Sequence, residues 1–219
     1  MNQLQFLTWV RGTGLNIALV IFVLGVLWRL AEIYGLGRKK DLSASRSTPG
    51  ASGWATIFRR SLPPPGMLPT SPVSYIGGYV FHVGLAIVVF LFAPHIALLT
   101  SLIGAVWPGL PSQVVDFITV VTMVAMIAVL VDRLFKPVKR YLSTFGDWFT
   151  WTLTFLPLLT GWLAVHHLLL PYTFMLATHI LCVELLLVFL PFTKLFHAFT
   201  VFGSRWFNGA MNGHKGVPV

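Results

Sequence analysis

The chain has 219 residues, 56% of them hydrophobic and only 10% charged, whereas a soluble domain has about half apolar and about a quarter charged residues. With a mean hydropathy of +0.81, that balance excludes an ordinary water-soluble enzyme and gives an integral membrane protein. The net charge of +9 does not indicate nucleic acid as a partner, because the basic residues lie between apolar runs and do not share one solvated face.

Five runs are long enough to cross a bilayer, which takes about 20 helical residues: 15–34, 73–99, 114–135, 148–167 and 172–199. The first lacks a basic start and an A-x-A-like site, so it is expected to be a retained helix and not a cleaved leader. After it comes the one long connection, 35–72, rich in Ser, Pro, Gly and Arg (LSASRSTPGASGW). Its composition predicts a flexible linker or a docking strip for a cytoplasmic partner. In the second run the apolar composition continues to Trp107 and Pro94 interrupts it, which predicts a bend. The expected fold is an all-α bundle of five transmembrane helices within residues 1–207, followed by a tail at 208–219. There is no internal repeat.

Charge orients this bundle. The connection after the first run carries Arg38, Lys39, Lys40, Arg46, Arg59 and Arg60, and the one after the third carries Arg133, Lys136, Lys139 and Arg140. The connections at 108–113 and around Pro171 carry no Lys or Arg. By the positive-inside rule the N-terminus is expected outside and the C-terminus in the cytoplasm, in the cell inner membrane.

Four histidines interrupt the apolar runs. His82 lies near the expected inner end of the second run and His95 lies 13 residues further out; on the antiparallel fifth run, His179 precedes His197 by 18 residues. Eighteen residues are five turns at about 3.6 per turn, so His179 and His197 are expected on one face. Matching depths pair His95 with His179 on the outer side and His82 with His197 on the inner side. Two stacked imidazole pairs suit two haems b, each iron held by neutral ring nitrogens from opposite sides. Gly77, Gly78 and Gly84 flank His82 and are expected to let a flat macrocycle approach the backbone. Thirteen residues on a straight helix turn through about 220°, so the pairing needs kinks, and Pro94 and Pro191 are the candidates. The single cysteine, Cys182, lies inside a run and offers no CxxC-type metal site.

The stretches FHVGLAIVVF, GDWFTWTLTFLPLLTGWL and above all LPFTKLFHAFTVFGSRW resemble the gamma subunit family of respiratory nitrate reductases, small di-haem cytochromes b. Related groups attach to sulfite-reductase, heterodisulfide-reductase-like and nickel–iron hydrogenase complexes. The resemblance implies five helices, His82 and His197 as inner-haem ligands and His179 as an outer-haem ligand. It also implies a quinone-linked electron-transfer subunit of a multi-subunit oxidoreductase, which oxidises quinol near the outer haem and passes electrons to a cytoplasmic-side iron–sulfur subunit. The terminal catalytic site would lie on another partner chain. Two features depart from the nitrate enzymes: Phe92 occupies the position of their second histidine, and the lysine associated with their quinol site has no counterpart. The FAPH sequence around His95 looks more like the related groups.

Other polar residues have candidate roles. His166, His167, Asp116 and Glu184 are candidates for handling quinone or protons, with Asp116 alternatively capping the third helix. Arg29, Arg133 and Arg140 are candidate partners for haem propionates, against ordinary anchoring at the membrane surface. Met123 and Met126 read as packing. A second reading of the same residues is a haem-free transporter or proton channel lined by His and Glu.

Overall fold

The structure is a computed structural model that describes residues 2–37 and 41–217; Arg38, Lys39 and Lys40, used above for orientation, lie outside the described residues. Among the described residues every element is helical. Five stretches are long and apolar enough to cross a membrane: Gln3–Gly35, Pro72–Leu91, Ser112–Phe135, Phe145–Val165 and Tyr172–Phe192. The expected all-α, five-span class is therefore met.

The first span opens on an Asn2–Gln5 capping box as α1 (Gln3–Trp9), widens into a π-turn (Val10–Gly14) and continues as α2 (Leu15–Gly35). In the connection that follows, α3 (Pro49–Arg59) begins with Pro at its first turn, and α4 (Met67–Thr70) is a single turn. The second span does not run through to residue 99. It is α5 (Pro72–Leu91), an extended Phe92, and then a new helix, α6 (Ala93–Ile103). Pro94 has no N–H to continue the ladder but is tolerated in the first turn of α6.

The third span is α7 (Ser112–Phe135), followed by the short α8 (Pro137–Tyr141). The fourth, α9 (Phe145–Val165), starts on a Thr144–Asp147 capping box, and α10 (Tyr172–Phe189) follows. The last predicted run also breaks. Two 3-10 turns, Leu190–Phe192 and Lys194–Phe196, flank an extended Thr193, and α11 (His197–Lys215) begins anew. Five uninterrupted turns therefore do not connect His179 to His197, because Pro191 ends the ladder. Most of the expected 208–219 tail is α11.

The chain forms two compact units, one of residues up to Leu15 with Pro69–Leu186, the other of Asn16–Leu68 with residues from Leu187 onward. The core of the first contains Val88 of α5, Val115, Met123 and Met126 of α7, and Leu158 of α9; both methionines are packing residues, as expected. Here α5 and α7 meet through small residues. A Cβ at Gly84 would lie 1.9 Å from Thr122 Oγ1, and one at Gly77 would lie 2.7 Å from Val129 Cγ2. Those two glycines therefore serve helix packing and not the approach of a macrocycle; of the three, Gly78 alone has open space around it.

In the second unit, Gly25 of α2 seats Pro191, and Phe22 packs against Phe199. The predicted linker is also structured, since α3 lies along α11. Gly209 and Gly213, one turn apart, accept Thr56 and Ser52, while Gly53 faces the Trp206 indole. Polar contacts extend this seam: Ser47 Oγ donates to Gly213 O over 2.7 Å, and Arg46 N–H donates to His214 O over 3.0 Å. Nearby, the Ser43 hydroxyl and amide hold the Asp41 carboxyl below its usual range. Four spans separate α3 from α11, and an even number returns the chain to the side it left, in agreement with their packing.

Candidate functional site

Helix ends leave carbonyls without intrahelical partners, and buried carbonyls must find donors. At the α5 break, Leu110 N–H donates to Leu91 O over 2.9 Å, Trp107 Nε1–H donates to Phe90 O over 2.6 Å, and His95 Nδ1 bonds Val88 O over 2.8 Å. The break thus orients His95. On α10, His179 Nδ1 bonds Pro157 O of α9 over 3.0 Å. Gly161 makes room for this ring, since a Cβ there would lie 2.9 Å from His179 Cε1.

The centroids of these two imidazoles are 6.1 Å apart and their planes are inclined by 19°. Two metal–nitrogen bonds of about 2 Å, plus the reach from each nitrogen to its ring centre, would put imidazoles on opposite sides of one metal about 6 Å apart. The kinks inferred at Pro94 and Pro191 are both present, and the first is what frees His95 from the rotation of α5.

His82 Nδ1 bonds Gly78 O over 2.7 Å, and His197 Nδ1 bonds Lys194 O over 2.7 Å. A carbonyl only accepts, so in each of the four histidines Nδ1 is the donating nitrogen. This is the arrangement that orients metal-ligating histidines. The remaining bonded histidines differ: His166 uses Nε2 toward Asp116 Oδ1 at 2.8 Å, and His214 uses Nε2 toward Ser43. His82 belongs to the first unit and His197 to the second. Among the described residues no group of three or more His, Cys, Asp or Glu could hold a metal ion by itself; an axial haem site needs two, because the porphyrin supplies four nitrogens.

Of the other predicted residues, Asp116 is the fifth residue of α7 and binds His166, the C-cap of α9, instead of capping its own helix. Trp162 lies 4.5 Å from the His166 ring, one residue beyond the glycine that seats His179, so this pair stands close to His179 along α9. The following loop is strained: His167 and Leu169 have φ of 54° and 67°, a conformation non-glycine residues adopt where function or packing requires it. His167 is stacked on Tyr172 at 4.7 Å.

Two of the three candidate arginines have partners within the chain. Arg29 bonds Glu32 and covers Phe196 at 5.8 Å, and Arg133 contacts Ser143 and Asp147. Arg140 is exposed. Glu184 is buried at 5% exposure. Sequence reasoning missed Asp132, whose carboxylate gathers Lys136, Lys139 and Ser74 at the end of α7. The four-residue spacing of Asp132 and Lys136 was the available signal.

The chain is similar to a protein of Nitratidesulfovibrio vulgaris (strain Hildenborough) described simply as "Protein", with 30% identity over 194 residues that cover 88% of this chain and 82% of that one. No family model and no solved structure matches the chain.

Proposed function

The chain belongs to the same family as the Nitratidesulfovibrio vulgaris protein, and we propose that it is a di-haem b membrane subunit that carries electrons between the quinone pool and an iron–sulfur partner subunit on the cytoplasmic side. The observation that carries this reading is the His95–His179 pair, 6.1 Å apart, with each Nδ1 committed to a carbonyl. The second haem rests on the motif resemblance around His82 and His197, each of which has its Nδ1 on a carbonyl of its own segment. Motif resemblance to the nitrate reductase gamma subunits and their relatives supports the quinone and iron–sulfur assignments, with the inner membrane as the location.

Haem, when bound, supplies one-electron chemistry. His95 with His179, and His82 with His197, would hold it through ring nitrogens. On the His95–His179 side, His166 with Asp116 forms a dyad able to accept a quinol proton: Asp116 takes the Nε2–H bond, which leaves Nδ1 as the base and stabilises the imidazolium that results.

A reduced-minus-oxidised spectrum of the purified protein is expected to contain a b-type α-band, and pyridine haemochrome assay to give two haems per chain. A colourless protein would overturn this reading and favour the haem-free proton pathway, for which the buried Glu184 is the supporting observation. Asp116→Asn is expected to leave haem content unchanged while slowing haem reduction by a quinol on the order of a hundredfold, as measured by stopped-flow absorbance.

A further inference from the structure

Glu184 lies twelve residues into α10 and Gly14 eleven residues into the first span, about 18 Å and about 17 Å along their helices. In a hydrocarbon layer about 30 Å thick, both are near mid-depth. The two meet. A Cβ at Gly14 would lie 2.8 Å from Glu184 Oε1 and 3.0 Å from Oε2, so the carboxyl rests directly on the backbone of this glycine.

Glu184 is 95% buried by surface area, at 5% exposure, and its Oε1 has no hydrogen-bond partner. The segment opposite is the π-turn, where Leu15 N–H reaches back to Gly12 O and Val10 O. Such widened turns concentrate at functional positions. On either side of the wide turn the first span meets the same helix, since Phe6 packs on Phe174 of α10 and Gly14 faces Glu184.

The charged or titratable groups on these two elements are few. Arg11 on the π-turn is exposed, and on α10 itself there are Tyr172, His179 and Cys182. No ion pair is formed with Glu184 among the described residues. An ionised carboxylate without a partner at this depth is strongly disfavoured, whereas the neutral acid is tolerated.

We propose that Glu184, seated on Gly14 of the π-turn, is a proton-binding site inside the membrane, carried as the neutral acid and exchanging its proton with water. This does not depend on haem being present. Proton binding and release occur at one carboxylate oxygen and involve no redox change.

The test uses the full chain in detergent. Infrared spectroscopy is expected to detect a protonated-carboxyl C=O band that Glu184→Gln removes and that shifts on transfer to deuterium oxide. Dicyclohexylcarbodiimide is expected to label Glu184, the acid proton moving to a carbodiimide nitrogen as the carboxyl oxygen bonds the central carbon, with no atom lost. Labelling should fall as pH rises and should spare the exposed Glu32.

The infrared band needs no access for the reagent, so its absence overturns the proposal whatever the labelling does. A band that does not shift in deuterium oxide identifies a static buried acid and overturns the exchange. Protection from labelling by sodium at constant pH identifies a cation site and overturns the proton assignment. Glu184→Asp, which keeps the acid, is expected to retain a shifted band, separating loss of the proton site from loss of packing.

Discussion

His179→Ala is expected to reduce haem content from two per chain to one, halving the α-band while leaving the fold intact. The His179 ring is only half-buried and lies outside the cluster formed by Val88, Val115, Met123, Met126 and Leu158, so its loss removes a ligand more than it removes core. His95→Ala is expected to produce the same spectrum as His179→Ala, and the double variant no further loss, because both rings would serve one iron. Pyridine haemochrome stoichiometry with redox titration checks this. Retention of both haems in either single variant would mean that the two rings, 6.1 Å apart, do not share a metal. Independent losses in the two variants would assign them to different haems.

The largest expected effect on stability is at Gly84. Thr122 is fully buried, and its hydroxyl donates to Ile118 O over 2.7 Å, so it cannot simply rotate away from a Cβ that would lie 1.9 Å from its Oγ1. Gly84→Val should force α5 away from α7 and cost about 3 kcal/mol, at the upper end for overpacking. Unfolding of the reconstituted protein in mixed micelles checks it. Adding Thr122→Ala should recover much of the loss, because it removes the atoms that collide. If Gly84→Val unfolds like the native chain, the α5–α7 seam is not closed by this contact.

The spans were legible because apolar runs of bilayer length have few other uses. The sites of the two helix breaks were legible in Pro94 and Pro191, but their consequence was not. Whether a proline bends a helix or ends it depends on which donors take the released carbonyls, here Leu110, Trp107 and His95 itself. That is why His95 could be suspected from sequence but not oriented. The continuous-helix argument for His179 and His197 failed for the same reason.

The structure of α3 was hidden by its composition. Ser52, Gly53 and Thr56 make a packing face without a hydrophobic stripe, and it looks like linker until Gly209 and Gly213 are placed opposite it. Pro49 at the first turn and the four-residue glycine spacing in GAMNG were the available signals. At the site, residue type suggested Asp116 and His166 separately. Their pairing joins positions 50 apart in sequence, which only the packing of α7 against α9 reveals.

The seam between α3 and α11 also sets an order of events during synthesis. From Arg59 to His197 is 138 residues, so at about 5–20 residues per second α3 is made about 7–28 s before the first residue of its partner. Through that interval four further spans must be synthesised while α3 waits. A mating face of serine, glycine and threonine is suited to the delay, because left uncovered it offers water little apolar surface and other nascent chains little to adhere to. Closure of this seam becomes a late step that registers completion of the last span.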